Sequence, residues 1–132
     1  MRKRKLISIL FAVALIFSMA VVCSAASVSY TDTYNDCTYA ISANCYTDRF
    51  NSLIEYQYSD TGDESDYLLQ VFVQYYYKVV TDGFDYTAYS TDYSIAATGI
   101  SGIGRSVANL ESLITLFYIN TECVASEVVS AN

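Results

Sequence analysis

Histidine, tryptophan and proline are absent from the 132 residues. Without histidine, the Ser-His-Asp and Cys-His forms of nucleophilic catalysis are excluded. Histidine-ligated zinc and the HExxH arrangement are excluded as well. Without tryptophan, the bulk of any core must come from tyrosine and phenylalanine, of which there are 14 and 6. A hydrolase built from this alphabet would have to work with paired carboxylates, as glycoside hydrolases do. With 14 acidic residues available, some such pair is always present, so its presence carries no weight. The chain is therefore expected not to be an enzyme.

Positive charge is the next scarcity. There are seven basic residues, and four of them, Arg2, Lys3, Arg4 and Lys5, stand before an apolar run from Leu6 to Val22. That order of a basic stretch, an apolar stretch and the small residues Cys23-Ser24-Ala25-Ala26 predicts a secretory signal peptide over 1–25, removed on export. The run is slightly short for a membrane-spanning helix, which needs about 20 apolar residues. Val22 stands where lipoprotein processing wants a small residue before Cys23. The remaining residues, 26–132, suit one domain with one core.

Cleavage leaves Arg49, Lys78 and Arg105 as three basic residues against fourteen acidic ones, a formal charge of −11. Such a surface repels phosphate backbones, whose binding needs clustered Lys and Arg. Nucleic acid and anionic membrane are thus not expected partners. A secreted domain that meets an extracellular protein or glycan is. Cys37, Cys45 and Cys123 survive cleavage into a space that permits disulfides. Cys37 and Cys45 lie about 26 Å apart if they share one extended strand, at ~3.3 Å per residue. A bridge from Cys123 to one of them is therefore expected. None of the three forms a CxxC pair, so they do not predict a zinc site.

Composition and periodicity both point to an all-β chain. Tyr, Thr, Val and Ile favour strands. Cys37, Tyr39, Ile41, Ala43 and Cys45 alternate with polar or small residues, which predicts a half-buried strand. Thr47-Asp48 predicts a turn, followed by a second strand on Phe50, Ile54, Tyr56 and Tyr58. The segment 59–66 is small and polar throughout and predicts an exposed acidic loop. The clearest strand follows, with Tyr67, Leu69, Val71, Val73, Tyr75, Tyr77 and Val79 on one face. Phe72, Gln74, Tyr76 and Lys78 share the other. Asp82-Gly83 predicts a hairpin into a strand from Tyr86 to Ala97, and Gly99, Gly102 and Gly104 predict a break. Those glycines match neither the dinucleotide fingerprint nor the P-loop.

The segment 106–118 is ambiguous, because Val107, Leu110, Leu113, Ile114 and Phe117 also fit a helical stripe behind Ser106. The strand-forming run Leu113 to Ile119, with Val124, Ser126 and Val128 alternating after it, favours strands. The expected fold is a small antiparallel β-sandwich; the alternative is an α+β domain with one helix near 106–118. The Thr-Asp pairs at 31, 47, 81 and 91 look like turn chemistry.

Two groups of residues are candidate sites. Asp60, Asp63, Glu64 and Asp66 in the acidic loop could offer the oxygen ligands Ca²⁺ accepts, although the spacing is not that of an EF-hand. Tyr76, Tyr86, Tyr89 and Tyr93 could form an exposed tyrosine surface, since tyrosine joins apolar area to a hydroxyl at low entropic cost. The expected function is surface contact with a protein or a carbohydrate, without catalysis. A secreted toxin or bacteriocin and a carboxylate-dependent glycoside hydrolase are the alternatives.

Overall fold

The computed structural model describes residues 26–131; the signal peptide expected over 1–25 lies outside the described residues. Eight strands form two four-stranded antiparallel sheets. Sheet A has the order β1 (Ser27–Tyr34), β2 (Cys37–Cys45), β3 (Arg49–Ser59), β6 (Ile100–Ser106). Sheet B has the order β5 (Tyr86–Ala96), β4 (Leu69–Val79), β7 (Leu110–Ile119), β8 (Glu122–Ser130). The two sheets pack face to face, which is the expected β-sandwich. No α-helix occurs among the described residues; the segment that could have been helical is the end of β6, a short turn and β7. Period-two burial settles the ambiguity, because Leu113, Thr115, Phe117 and Ile119 are all buried while their neighbours are not.

The core is built from the inward positions of both sheets. On β2 burial alternates without a break, with Cys37, Tyr39, Ile41, Ala43 and Cys45 inside. On β4 Leu69, Val71, Val73 and Tyr75 are inside. Phe50 of β3 meets Tyr75 of β4 with ring centroids 5.0 Å apart, joining the sheets near one end. One polar pair crosses the core: Ser52 Oγ and Thr115 Oγ1 lie 2.6 Å apart, and both residues are fully buried.

The cysteines do not pair as expected. All three carry thiols. Cys37 and Cys45 sit on the inward row of β2 with no exposed surface, and burial pushes both thiols up to about 11. Cys123 stands opposite Tyr118, on the outer side of sheet B. Its thiol points to the Ala125 carbonyl at 3.4 Å. The backbone of β8 thus separates its sulfur from the inward row of β2, and a disulfide needs Cβ atoms within about 4.5 Å.

The turns also differ from expectation. Asp82-Gly83 does lie in a hairpin, but the connection runs over 80–85 and Gly83 does not take a positive φ. The two tight hairpins lie elsewhere. Asn35-Asp36 (φ +44° and +66°) joins β1 to β2, and Asn120-Thr121 (φ +49° and +69°) joins β7 to β8. Positive φ at both central residues is the pattern of a type I′ turn, whose twist matches the strands. Thr121 is β-branched, and its left-handed backbone is strained. Thr121→Gly is expected to raise the unfolding free energy by about 1 kcal/mol, read as a higher urea midpoint at unchanged slope.

The glycines read as a break are partly a strand. Gly102 and Gly104 lie within β6, and only Gly99, at φ +93°, makes the turn into it. Of the four Thr-Asp pairs, those at 47 and 81 lie in connections, whereas Thr31-Asp32 is inside β1 and Thr91-Asp92 inside β5.

Side-chain bonds close both rims of the sandwich. At one, Arg105 Nε on β6 donates to Asp92 Oδ2 on β5 at 3.1 Å, and Ser101 Oγ donates to Ser94 Oγ at 3.1 Å. The Arg105 hydrogen bond holds the Asp92 carboxyl below its ordinary value.

At the other rim, Tyr30 Oη on β1 donates to Glu127 Oε1 on β8 at 2.9 Å. Burial raises the Glu127 pKa, and the Tyr30 bond only partly offsets this. A carboxyl whose folded pKa is raised stabilises the fold below its unfolded value, about 4.3. It loses that contribution as pH rises to the folded value. Glu127→Gln is therefore expected to melt higher than the wild type at pH 7, with the difference vanishing near pH 3. A difference that persists unchanged at pH 3 would exclude titration of Glu127 as its source.

Candidate functional site: the outer face of sheet B

Strand β5 is assembled inside out. Its core-side positions are Tyr86, Ala88, Ser90, Asp92, Ser94 and Ala96, and its solvent-side positions are Thr87, Tyr89, Thr91, Tyr93 and Ile95. The larger apolar side chains thus face water: Tyr89 is 64% exposed, Tyr93 69% and Ile95 51%. The small polar ones face inward because the sandwich rim there is closed by the Asp92–Arg105 and Ser94–Ser101 contacts. An antiparallel sheet with one solvated face ordinarily turns its polar residues out. What needs an explanation is a gathered apolar surface, not a single exposed side chain.

The neighbouring strands continue that surface. Cross-strand pairing sets Tyr89 beside Tyr76 and Tyr93 beside Phe72, with Thr91 beside Gln74 between them. The Tyr76 and Tyr89 rings are 6.1 Å apart and tilted by 43°, a distance and tilt at which aromatic pairs attract. Beyond β4, the outward positions of β7 are Ser112, Ile114, Leu116 and Tyr118, and those of β8 include Ser126, Val128 and Ser130. Among the described residues the charged side chains of this face are Lys78 and Glu111, both at one end of it: Lys78 pairs with Thr87, and the Glu111 carboxylate accepts from the Thr87 hydroxyl at 2.9 Å. A shallow groove of about 200 Å³ runs between Gln70, Phe72, Tyr93 and Tyr118. Burial raises the Tyr118 hydroxyl pKa, so it acts here as a neutral donor and acceptor.

Three of the four tyrosines singled out in the sequence, Tyr76, Tyr89 and Tyr93, are brought together on this face. Tyr86 is not among them. It pairs with Val79 on the other side of the sheet and meets Phe84 at the sandwich end, with ring centroids 5.8 Å apart. Sequence reasoning missed Phe72, Ile95, Ile114, Leu116 and Tyr118. Their alternation was visible, but which side of each strand faces water depends on the partner sheet.

The outer face of sheet A differs in kind. β1 and β2 present Ser27, Ser29, Thr31 and Thr33 beside Asn44, Ser42, Ala40 and Thr38. Near its β6 edge a hollow of about 360 Å³ lies over Leu53, Gly102 and Gly104. A Cβ on Gly102 would come within 3.0 Å of Leu53 Cβ, so close strand packing explains that glycine.

Two of the acidic loop's carboxylates, Asp63 and Asp66, bond the loop's own backbone. Asp63 accepts from the Ser65 hydroxyl at 2.6 Å and the Ser65 amide at 3.0 Å, which holds its carboxyl below the ordinary value. Asp66 accepts from the Asp63 amide at 2.9 Å, completing a capping box on the 3-10 turn Glu64–Asp66. Glu64 lies over Gly99, where a Cβ would come within 2.5 Å of its carboxylate. Tyr56 and Tyr67 stack beneath the loop at 5.8 Å, and the Tyr56 hydroxyl donates to the Gly62 carbonyl at 3.2 Å. Among the described residues no three acidic or cysteine side chains converge as a metal-holding group. The loop geometry therefore gives no support to a Ca²⁺ site at Asp60, Asp63, Glu64 and Asp66.

Comparison with protein-family models, with curated proteins and with solved structures finds no match.

Proposed function

We propose that the chain is an exported, non-enzymatic β domain that acts by surface contact, and that the outer face of sheet B is the surface it uses. The observation that carries this reading is the inversion of β5, which turns Tyr89, Tyr93 and Ile95 to solvent and Asp92 inward. Exposed apolar surface of this extent costs solubility, and a bound partner removes that cost. Aromatic rings next to the amide of Gln74 and the hydroxyl of Thr91 suit a protein or a glycan partner, since both mix apolar and hydrogen-bonding groups. The face carries one carboxylate, Glu111, and one amine, Lys78, while the segment 26–132 carries −11 overall. The acids elsewhere keep the free protein soluble, and the contact itself carries no net charge.

The test is a binding panel of extracellular glycans and surface proteins, run with wild type, Tyr93→Ser and Thr31→Ser. A partner of this face should lose its signal with Tyr93→Ser and keep it with Thr31→Ser, which alters only the outer face of sheet A. A partner whose signal survives Tyr93→Ser and Tyr89→Ser would place the contact elsewhere.

A further inference from the structure

From the shape and charge of this face, and resting on its reading as the contact surface, we infer that one partner is a second copy of the same chain, docked sheet B to sheet B. Extent is the first argument. Four strands spaced about 4.8 Å apart, each of about nine residues rising ~3.3 Å, give a face of roughly 600 Å². Two such faces bury about 1,200 Å², the lower end of stable specific interfaces. That supports a reversible dimer, not a permanent one.

Charge is the second argument. Residues 26–132 carry three basic and fourteen acidic groups, so two copies repel over most of their surfaces. On the outer face of sheet B the charges are one amine, Lys78, and one carboxylate, Glu111, both at the end marked by Thr87, and they sum to zero. Two copies can meet there with no net charge on either face. A basic partner, by contrast, would be drawn to the carboxylates, which apart from Glu111 lie off this face.

Shape is the third. The groove of about 200 Å³ is smaller than the roughly 300–1,000 Å³ of most small-molecule sites. The middle of the β7–β8 half, Ile114, Leu116 and Val128, is aliphatic and offers a sugar no ring to stack on. A flat aromatic and aliphatic sheet fits another such sheet, as the two layers of a sandwich fit one another about 10 Å apart. A two-fold axis makes the pairing self-complementary and closed.

The experiment is sedimentation equilibrium of the protein purified from cells exporting the full-length chain, its mass fixed by mass spectrometry. The wild type should be a dimer at about 100 μM. The dimer should tighten as salt rises from about 0.05 to about 0.5 M, because salt screens the mutual repulsion of the acidic surfaces. Tyr93→Glu should weaken it tenfold or more with unchanged circular dichroism and melting of the monomer, and Thr31→Glu should leave it intact. If Tyr93→Glu does not fold, Thr91→Glu, an exposed polar position between the aromatic pairs, gives the same readout. A wild type monomeric at both salts, or a dimer that Tyr93→Glu and Tyr89→Glu leave unchanged, would overturn self-pairing. In the monomeric case, a panel partner whose signal Tyr93→Ser abolishes would leave the contact reading standing.

Discussion

Phe50→Ala is expected to lower the unfolding free energy by about 3–5 kcal/mol, the cost of truncating a buried phenylalanine. Phe50 is 2% exposed on β3 of sheet A, and its ring meets Tyr75 of sheet B at 5.0 Å. Tyr75 in turn meets Tyr77 at 6.0 Å. Deleting the Phe50 ring therefore opens a void between the sheets and removes the aromatic contact at once. For a domain of this size the loss corresponds to a drop in melting temperature of roughly 12–40 °C. Urea unfolding should show a lower midpoint at the same slope, since the surface exposed on unfolding barely changes. Phe50→Leu, which refills most of the space, should cost less than half as much. An alanine variant within about 1 kcal/mol of wild type would mean that the ring does not join the two sheets.

Thr115→Val is the second large effect, and its size comes from the partner it abandons. Valine has nearly the same shape as threonine, so packing is kept while the hydroxyl is lost. Ser52, fully buried on the opposite sheet, then has no partner at the position where Thr115 Oγ1 lay 2.6 Å away. Leaving one buried hydroxyl unsatisfied costs about 1–3 kcal/mol, whereas removing both partners can be nearly neutral. The double variant Ser52→Ala with Thr115→Val should thus be more stable than Thr115→Val alone. Denaturation of both single variants and the double variant measures the coupling directly. Additive losses would show that the two hydroxyls act independently.

The legible part of this fold was the part with uninterrupted alternation. On β2 and β4 apolar and polar residues alternate over nine and eleven residues, and the inward rows there are the ones the pattern implied. β6 was hidden because two of its outward positions are Gly102 and Gly104, which leave no alternation to read. The true hairpin turns were hidden because Asn35-Asp36 and Asn120-Thr121 lack the glycine that marks such turns, while Asp82-Gly83 carries it in a longer connection. β1 was missed because Asp32 interrupts its inward row of Val28, Tyr30 and Tyr34.

The candidate site was legible only as a composition. Tyrosine abundance pointed to a surface, but periodicity fixes which residues share a face and not which face meets water. On β4 the choice is clear, because one row is wholly apolar. On β5 an apolar-in, polar-out rule by itself would place Tyr89, Tyr93 and Ile95 inside and Asp92 outside, against the exposed tyrosine surface expected from composition. Hydrogen bonding at the rim to Ser101 and Arg105 reverses that order, and neither partner is adjacent to β5 in its own sheet. The cysteine expectation failed for the same reason: spacing placed Cys37 and Cys45 on one strand, but not Cys123 on the far side of another.

The central claim, that the outer face of sheet B is the surface this protein buries in use, is tested most directly by a tyrosine footprint. Purified protein is nitrated when dilute and when concentrated enough to associate, and each modified tyrosine is located by mass spectrometry. Tyr89 and Tyr93 should react readily in the dilute sample and be shielded in the concentrated one, while Tyr58, 58% exposed on sheet A, reacts equally in both. Shielding of Tyr58 with Tyr89 and Tyr93 still reactive would contradict the assignment and move the contact surface to sheet A.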